Sequence, residues 1–420
     1  MRNRLSQQTD DDSRVHSAGK ASKRTKAWWN VASLNMKGRG SQRPERSKWS
    51  EINLMMKKRQ ISLLTLQETH LSEEYTRDVR TLYGRRLSIH FSSCEENPTG
   101  KSGVAVVLNK DLVKTDGVES IELIPGRAML IRAQWHGDAI FTWLAIYAPN
   151  KETENKEMWE TLTQMWDDRK LPKPDGMSGD FNFVEDALDR LPVHEDSRAT
   201  VEAFKAFRKM LNLRDGWRTA NPEKKDYSFA QMAGNFSRSR IDRIYVSNKV
   251  LENCDQWDIS DPTLETDHRV VSVKMTSPKA PYVGKGRWMM PLHLLNNGKA
   301  IREVEVIVRT MARDVRSAAG NRNDAMNPQS VYAEGKKEII RVLRRYGKRS
   351  IPVKQAKMES LQADLDAMLQ NDLVPEDERL LSAAIIQQKI QQIRKDISEN
   401  RHTSSLVKAR LEMETISKYW

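Results

Sequence analysis

Residues 140–150, Ile140-Phe141-Thr142-Trp143-Leu144-Ala145-Ile146-Tyr147-Ala148-Pro149-Asn150, and residues 179–182, Gly179-Asp180-Phe181-Asn182, decide how this chain is read. The first is an apolar run rich in aromatic and β-branched residues that stops at a proline turn, as a strand over Ile140–Tyr147 would. The second places an acid and an amide just past a strand, and Glu154–Asp167 between the two has helical spacing. Working outward, Trp28–Asn35, Ile61–Gln67, Leu87–Ser93, Gly103–Asn109, Ala128–Trp135, Arg240–Ser247 and Val270–Met275 also read as strands. Trp49–Arg59 and Ser197–Leu211 read as helices, the latter with Phe204, Phe207 and Leu211 at three- and four-residue spacing. A mixed α/β domain is expected over residues 28–277.

The chain has 420 residues, 38% hydrophobic and 30% charged, enough for a sizeable core. No run approaches the roughly 20 apolar residues that a bilayer crossing needs, and the N-terminus lacks the apolar stretch of a secretory signal. No membrane partner and no secretion are therefore expected. Cys94 and Cys254 are too few for a disulfide scaffold or a cysteine-built zinc site.

The net charge of +13 is uneven: +4 over residues 1–27, zero over 28–277 and +9 over 278–420. Residues 1–27 hold almost no large apolar side chains and are expected to form a disordered basic tail. Residues 278–287, with Pro278, Pro281, Gly284 and Gly286, read as a linker. Residues 288–420 read as a basic α-helical region, with helices over Leu292–Val315 and Gln329–Tyr346. A helical hairpin follows, in which Met358, Leu361, Leu365 and Met368 face Ile386, Ile390, Ile393 and Ile397 across a break at Pro375. Packing within the chain is preferred there over a dimerising coiled coil.

Signatures of zincins, serine hydrolases and dinucleotide-binding folds are absent, and Gly100-Lys101-Ser102 has Glu95 where a P-loop needs its first glycine. What remains is a set of oxygen-bearing residues and one histidine: Asn35, Glu68, Tyr147, Asp180, Asn182, Asp242, Asp267 and His268. Each has a structural alternative: a helix-start carboxylate for Glu68, an Asx turn for Asp180 and Asn182, a surface ion pair for Asp242, a core aromatic for Tyr147. Taken together they supply what metal-assisted phosphodiester hydrolysis requires. A hard cation needs oxygen ligands, a water needs a carboxylate base, and the phosphate needs donors on its nonbridging oxygens.

In this order and spacing the motifs Leu34-Asn35, Leu66-Gln67-Glu68-Thr69-His70, Ser102-Gly103-Val104-Ala105, Tyr147-Ala148-Pro149-Asn150, Gly179-Asp180-Phe181-Asn182, Ser239-Arg240-Ile241-Asp242 and Thr266-Asp267-His268 carry a resemblance. The chain resembles the endonuclease/exonuclease/phosphatase (DNase I-like) superfamily, and within it the apurinic-endonuclease-like domain of non-LTR (LINE-type) retrotransposon polyproteins. That resemblance implies a four-layer α/β sandwich followed by an α-helical C-terminal region. It implies that Glu68, with Asn35, holds Mg²⁺, with Mn²⁺ as an alternative, and that Asp267 is a metal ligand or stands behind one. Asp180 would activate water, Asn182 and Tyr147 would orient the phosphate, and His268, kept protonated by Asp242, would donate to the transition state.

The implied activity is nicking of double-stranded DNA to leave a 3′-hydroxyl, with a reverse transcriptase expected downstream in a full polyprotein and element RNA as a partner of the basic helices. Synthesis in the cytoplasm and action in the nucleus follow from that expectation. The chain departs from the family at Lys37, where Asn or Asp is usual. A cation there cannot ligate Mg²⁺, so Lys37 and Arg39 are expected to contact the DNA backbone. Arg238 and Arg240 flank a hairpin whose Phe236 is expected to wedge into the minor groove. The alternatives are a catalytically weakened nucleic-acid-binding remnant, or a phosphatase of the same superfamily.

Overall fold

The computed structural model describes residues 25–413 apart from 44–46, 95, 98, 101, 138, 232–233, 235, 284–289, 291, 321–326 and 350–352. Two six-stranded sheets form its centre. Across the first, the strands run in the order Cys254–Ser260, Val270–Met275, Trp29–Asn35, Ile61–Gln67, Val104–Asn109 and Leu87–Ser92. Across the second, the order is Leu213–Asp215, Asp242–Ser247, Gly176–Asp180, Ile140–Tyr147, Ala128–Gln134 and Glu119–Ile124. Each sheet contains one parallel pair, Trp29–Asn35 with Ile61–Gln67 and Ile140–Tyr147 with Gly176–Asp180; its other pairings are antiparallel.

Side-chain alternation divides each strand between two cores. Val31, Leu63, Val106, Trp143, Ala145, Ile244 and Val273 meet between the sheets. Their sequence neighbours turn outward. Ala32, Leu34, Leu64 and Leu66 pack on Trp49, Ile52 and Met56 of the Lys48–Arg59 helix and on Val79 of the Glu73–Tyr83 helix. Leu144, Ile146 and Met177 pack on Trp159 and Leu162 of the Glu152–Asp168 helix and on Phe204 and Phe207 of the Arg198–Met210 helix. The layers are therefore helix, sheet, sheet, helix, the four-layer sandwich that the resemblance implied. Ser47 and Ser72 start the two helices of the first sheet by accepting from Trp49 N–H and Tyr75 N–H.

The parallel pairing positions the site. Parallel neighbours end at the same edge, so register places Asn35 beside Gln67 and Tyr147 beside Asp180. Asp242, on the antiparallel neighbour, also lies opposite Asp180. Gly179 has φ +157°, and a β-carbon there would meet Ile146 O at 1.8 Å, so only glycine allows this strand to approach its partner.

Two departures from the expected organisation are visible. Thr25–Lys26, assigned by composition to the disordered tail, pairs antiparallel with Tyr282–Val283, assigned to the linker; residues 1–24 lie outside those described. The strands Glu119–Ile124 and Cys254–Ser260 carry too many polar residues to stand out as apolar runs, because each is a sheet edge. Helices follow over Gly298–Gly320, Pro328–Arg349, Val353–Gln370 and Glu376–Met413, and none of the described helices is long and apolar enough to cross a membrane.

The last two helices form the expected hairpin, but its seam is shared. Leu365, Leu369, Leu380, Ala383 and Ile390 pack with Met358, Leu361 and Ile386, and also with Leu191 and Tyr227 of the sandwich. Ile393 is half-buried, and the side chain of Ile397 lies outside the description. Polar contacts fasten the same face: Lys225 pairs with Asp372, Arg394 with Asp261, and Val193 N–H donates to Glu376 Oε1 at 3.0 Å.

Candidate active site

Eight of the sequence-selected residues converge at the shared edge of the two sheets. Asn35 is central: its Nδ2 donates to Glu68 Oε1 and to Asp180 Oδ2, both at 2.9 Å, linking carboxylates from the two sheets. Tyr147 Oη donates to the same Glu68 oxygen at 3.2 Å, and the Arg127 guanidinium covers the tyrosine ring at 4.7 Å. Asp180 Oδ1 accepts from Asn182 N–H at 3.0 Å, while Asn182 Nδ2 donates to Ala148 O at 2.8 Å. Asn182 and Glu68 both sit in the left-handed region, with φ +55° and +50°. The chain thus turns sharply one residue past Gln67 and two past Asp180 and leaves these side chains at the edge.

On the far side His268 Nδ1 donates to Asp242 Oδ2 at 2.8 Å, and Nε2 lies 4.0 Å from Asp180 Oδ2 and 3.9 Å from Asp267 Oδ1. Ser228 Oγ accepts from Asp242 N–H at 2.8 Å, and the Phe229 ring lies 5.0 Å from the imidazole, so the histidine is held on two sides. Thr266 Oγ1 donates to Asn35 O at 3.0 Å and ties the Asp267-His268 turn to the first sheet.

Electrostatics follow from burial. Burial first, and then the Asp242 charge, push the Asp180 carboxyl up to about 7, against the opposing pull of His268 and the Asn35 hydrogen bond. For His268 burial would lower the pKa, but the hydrogen-bonded Asp242 carboxylate, with Asp180 and Asp267, outweighs it and pushes the imidazole up to about 9. The histidine therefore carries a proton at neutral pH and the carboxylate beside it titrates near neutrality. Burial, helped by the Glu68 and Asp180 charges, holds the Tyr147 hydroxyl well above the usual phenol range, so it acts as a donor.

Asp180, Asp242 and His268 are buried and offer ligand atoms within 4.8 Å of one another, and Asp242 Oδ1 is buried without a hydrogen-bond partner. That donor set, with Glu68 and Asp267 alongside, suits a hard divalent cation. A protonated histidine does not ligate, which leaves the carboxylates for that role.

Three expected roles are corrected by the geometry. Asn35 is not among them: its Oδ1 accepts from Lys37 N–H at 2.9 Å and its nitrogen donates to the two carboxylates, so it clamps Glu68 and Asp180 together. Arg39 is buried over the Tyr75 ring at 4.2 Å and donates to His70 O and Gln42, out of reach of a DNA backbone. Arg240 is buried and forked onto Asp189, at 2.8 and 2.6 Å, with a further bond to Asp215 at 2.7 Å. Arg238 is also buried, its guanidinium pushed down to about 10 by burial and the neighbouring Arg269. A sequence shows their charge but not that it is spent inside the fold.

Phe236 does lie in the loop between Phe229–Ala230 and Arg238–Ser239, half-buried and with φ +54°. Lys37 stays largely exposed at the mouth of the site, its Nζ 2.7 Å from Asp267 Oδ2.

Sequence reading missed Asn155. This buried amide donates through Nδ2 to Pro149 O at 2.8 Å and Phe181 O at 2.9 Å, joining the loop after Tyr147 to the loop after Asp180. Its signal was a polar residue in the helix stripe Asn155, Met158, Trp159, Leu162 and Trp166. Lys48, likewise missed, donates to Met36 O at 2.7 Å and Lys37 O at 3.0 Å beneath the site.

The sequence model of the endonuclease/exonuclease/phosphatase family matches residues 27–268, more than half of the chain and all of the residues just described. The chain belongs to that family. Among curated proteins it is similar to the transposon TX1 uncharacterized 149 kDa protein of Xenopus laevis, 28% identical over 227 residues. That match covers 53% of this chain and 17% of the relative, so the chain spans about a sixth of that protein's length. Solved structures similar to it include the AP endonuclease LMAP of Leishmania major, at 17% identity and a TM-score of 0.49 over 60% of this chain and 89% of the other. Another is the endonuclease domain of TRAS1, a telomere-specific non-LTR retrotransposon, at 14% identity and a TM-score of 0.43 over 60% and 99%. Members of the family are hydrolytic nucleases and phosphatases, and in this chain Asp180, Asp242 and His268 form a group that could hold a metal ion.

Proposed function

We propose that this chain is a DNA endonuclease dependent on Mg²⁺, or on Mn²⁺ in its place, which nicks one strand of a duplex and leaves a 3′-hydroxyl, as target-site nicking by a non-LTR retrotransposon requires. The observation that carries the reading is the pairing of a carboxylate that titrates near neutrality, Asp180, with a protonated imidazole, His268, 4.0 Å away. A base and an acid held side by side in opposite protonation states suit in-line hydrolysis.

A divalent cation held by Glu68 would neutralise phosphate charge as it grows. Asp180 takes a proton from water as the water oxygen attacks phosphorus; the bond from phosphorus to the 3′-oxygen breaks, and the departing oxygen takes a proton from solvent. His268 donates through Nε2 to a nonbridging oxygen, and Asp242 holds the ring and its charge. Asn182 and Tyr147 orient the phosphate, and Asn35 keeps Glu68 and Asp180 in fixed relation. In this reading Lys37, exposed at the rim, contacts the DNA backbone, and Phe236 enters the groove.

The Lys37 contact with Asp267 also favours a second reading, a binding remnant with a weakened metal site. Conversion of supercoiled plasmid to open circle separates the two. The full chain nicks with Mg²⁺, not with EDTA, and not as Asp180→Asn; DNA polymerase extends the nick without prior end treatment. Folded protein that binds DNA but never nicks it gives the remnant reading the lead. Action on genomic DNA places the working site in the nucleus, and the basic helices beyond residue 288 are available to element RNA.

A further inference from the structure

The turn from Asn35 to Gly38 delivers an ammonium to the opposite lip of the site. Lys37 has φ +48°; its N–H donates to Asn35 Oδ1 and its carbonyl accepts from Lys48 Nζ at 3.0 Å. Gly38, at φ +72°, donates its N–H to Glu68 O at 2.9 Å, and a β-carbon there would come within 3.3 Å of the His70 ring. The backbone of this turn is therefore pinned beside Glu68, while the side chain crosses to Asp267, 2.7 Å from Oδ2. Of the lysine side chain 60% is exposed, against 18% for the aspartate.

Charges divide unevenly over the site. Glu68, Asp180, Asp242 and Asp267 face Lys37, Lys48 and the protonated His268. Asp242 is answered by His268 and Asp267 by Lys37, whereas Glu68 Oε1 has the neutral donors Asn35 and Tyr147. A divalent ion at Asp267 would sit against an ammonium, and like charges within a few ångströms repel even at the protein surface. At Glu68 the hydrogen-bond donors are neutral, and the Lys48 ammonium, which acts on it through space, donates to Met36 O and Lys37 O and not to the carboxylate.

We propose that Lys37 is a resident cation of this site: it holds Asp267 where a second divalent ion would otherwise bind, and so restricts the site to a single divalent ion at Glu68. The inference rests on the metal-dependent reading above. One of the three N–H donors of the ammonium is taken by Asp267, and the others face an incoming phosphate.

Counting bound Mn²⁺ on the full chain, from the electron paramagnetic resonance signal of the free ion, tests this without reference to turnover. The unsubstituted chain binds one ion, and Glu68→Gln loses it. Lys37→Asn, which tolerates the left-handed backbone and supplies an amide oxygen, gains a second ion; Lys37→Arg stays at one. Two ions on the unsubstituted chain, or a count and affinity unchanged within about threefold in Lys37→Asn, overturn the inference alone. No bound ion in any variant overturns the metal-dependent reading and the inference with it. Circular dichroism of each variant establishes that it is folded before ions are counted.

Discussion

Replacing Asn155 by alanine tests whether one buried amide sets the spacing of the loops that carry Tyr147 and Asp180. The amide donates to Pro149 O and Phe181 O and accepts from the Trp159 indole N–H at 2.6 Å, in a position only 2% exposed. Three hydrogen bonds at about 1 kcal/mol net each set a floor of about 3 kcal/mol; three dry, partnerless groups at about 3 kcal/mol each would set a ceiling of about 9 kcal/mol. The vacated carboxamide leaves space for about one water, which re-satisfies part of the set, so the expected loss is about 4 kcal/mol. Urea unfolding followed by tryptophan fluorescence measures it, with Trp159 beside the substitution.

Asn155→Asp is the sharper companion. It keeps an acceptor for Trp159 but turns a carboxylate toward two carbonyl oxygens, so burial and those oxygens raise its folded pKa above the unfolded value of about 3.9. The folded state then binds more protons than the unfolded one above that pH, and stability falls as pH rises, until the folded pKa is passed. Loosening the two loops by about 1 Å lowers nicking about 100-fold in either variant. An alanine variant that loses less than the floor of about 3 kcal/mol, or an aspartate variant whose stability is flat from about pH 4 to 7, would refute the reasoning.

Four further perturbations follow from the same geometry. His268 has its pKa raised to about 9, so its bond to Asp242 contributes stability that is fully present below about 6.5 and is lost as pH rises through 9; Asp242→Asn removes that slope, and an NMR titration of the imidazole shows a lower pKa. Asp189→Asn strips a buried partner from Arg240 and Arg218 and costs about 3–5 kcal/mol in chemical denaturation, while Arg240→Gln leaves the salt dependence of DNA binding unchanged because that guanidinium never reaches solvent. Leu369→Ala, in the cluster shared with Leu191 and Tyr227, costs about 2–4 kcal/mol and raises hydrogen exchange in both the helical hairpin and the segment around Tyr227; exchange confined to the hairpin would mean that the two do not support each other.

Local pattern determined much of this protein from the sequence alone. Ile61–Gln67 and Ile140–Tyr147 are strands with the bounds their runs mark because burial on both faces demands a largely apolar run, and Val270–Met275 keeps its bounds by alternation, with Ser272 and Lys274 on its less buried face. Glu68, Asp180, Asp242 and His268 stood out in the sequence only as an ordered set, since each alone has a structural alternative, and the fold brings all four to one edge. Edge strands such as Cys254–Ser260 were not, since one free edge and an exposed face tolerate polar residues.

What only the tertiary structure decided is where each charge goes. Arg39, Arg238 and Arg240 look on paper like Lys37, a cation near the motifs. Three are folded inward, two of them onto an aromatic ring or carboxylates, and one is left at the mouth. Asn155 and Asn35 are likewise ordinary amides until two sheets, whose parallel strands end at one edge, bring partners from distant parts of the chain within 3 Å of them. Sequence spacing encodes which residues share a face of an element; the partner across the gap depends on how separate elements pack, and that is a property of the whole core.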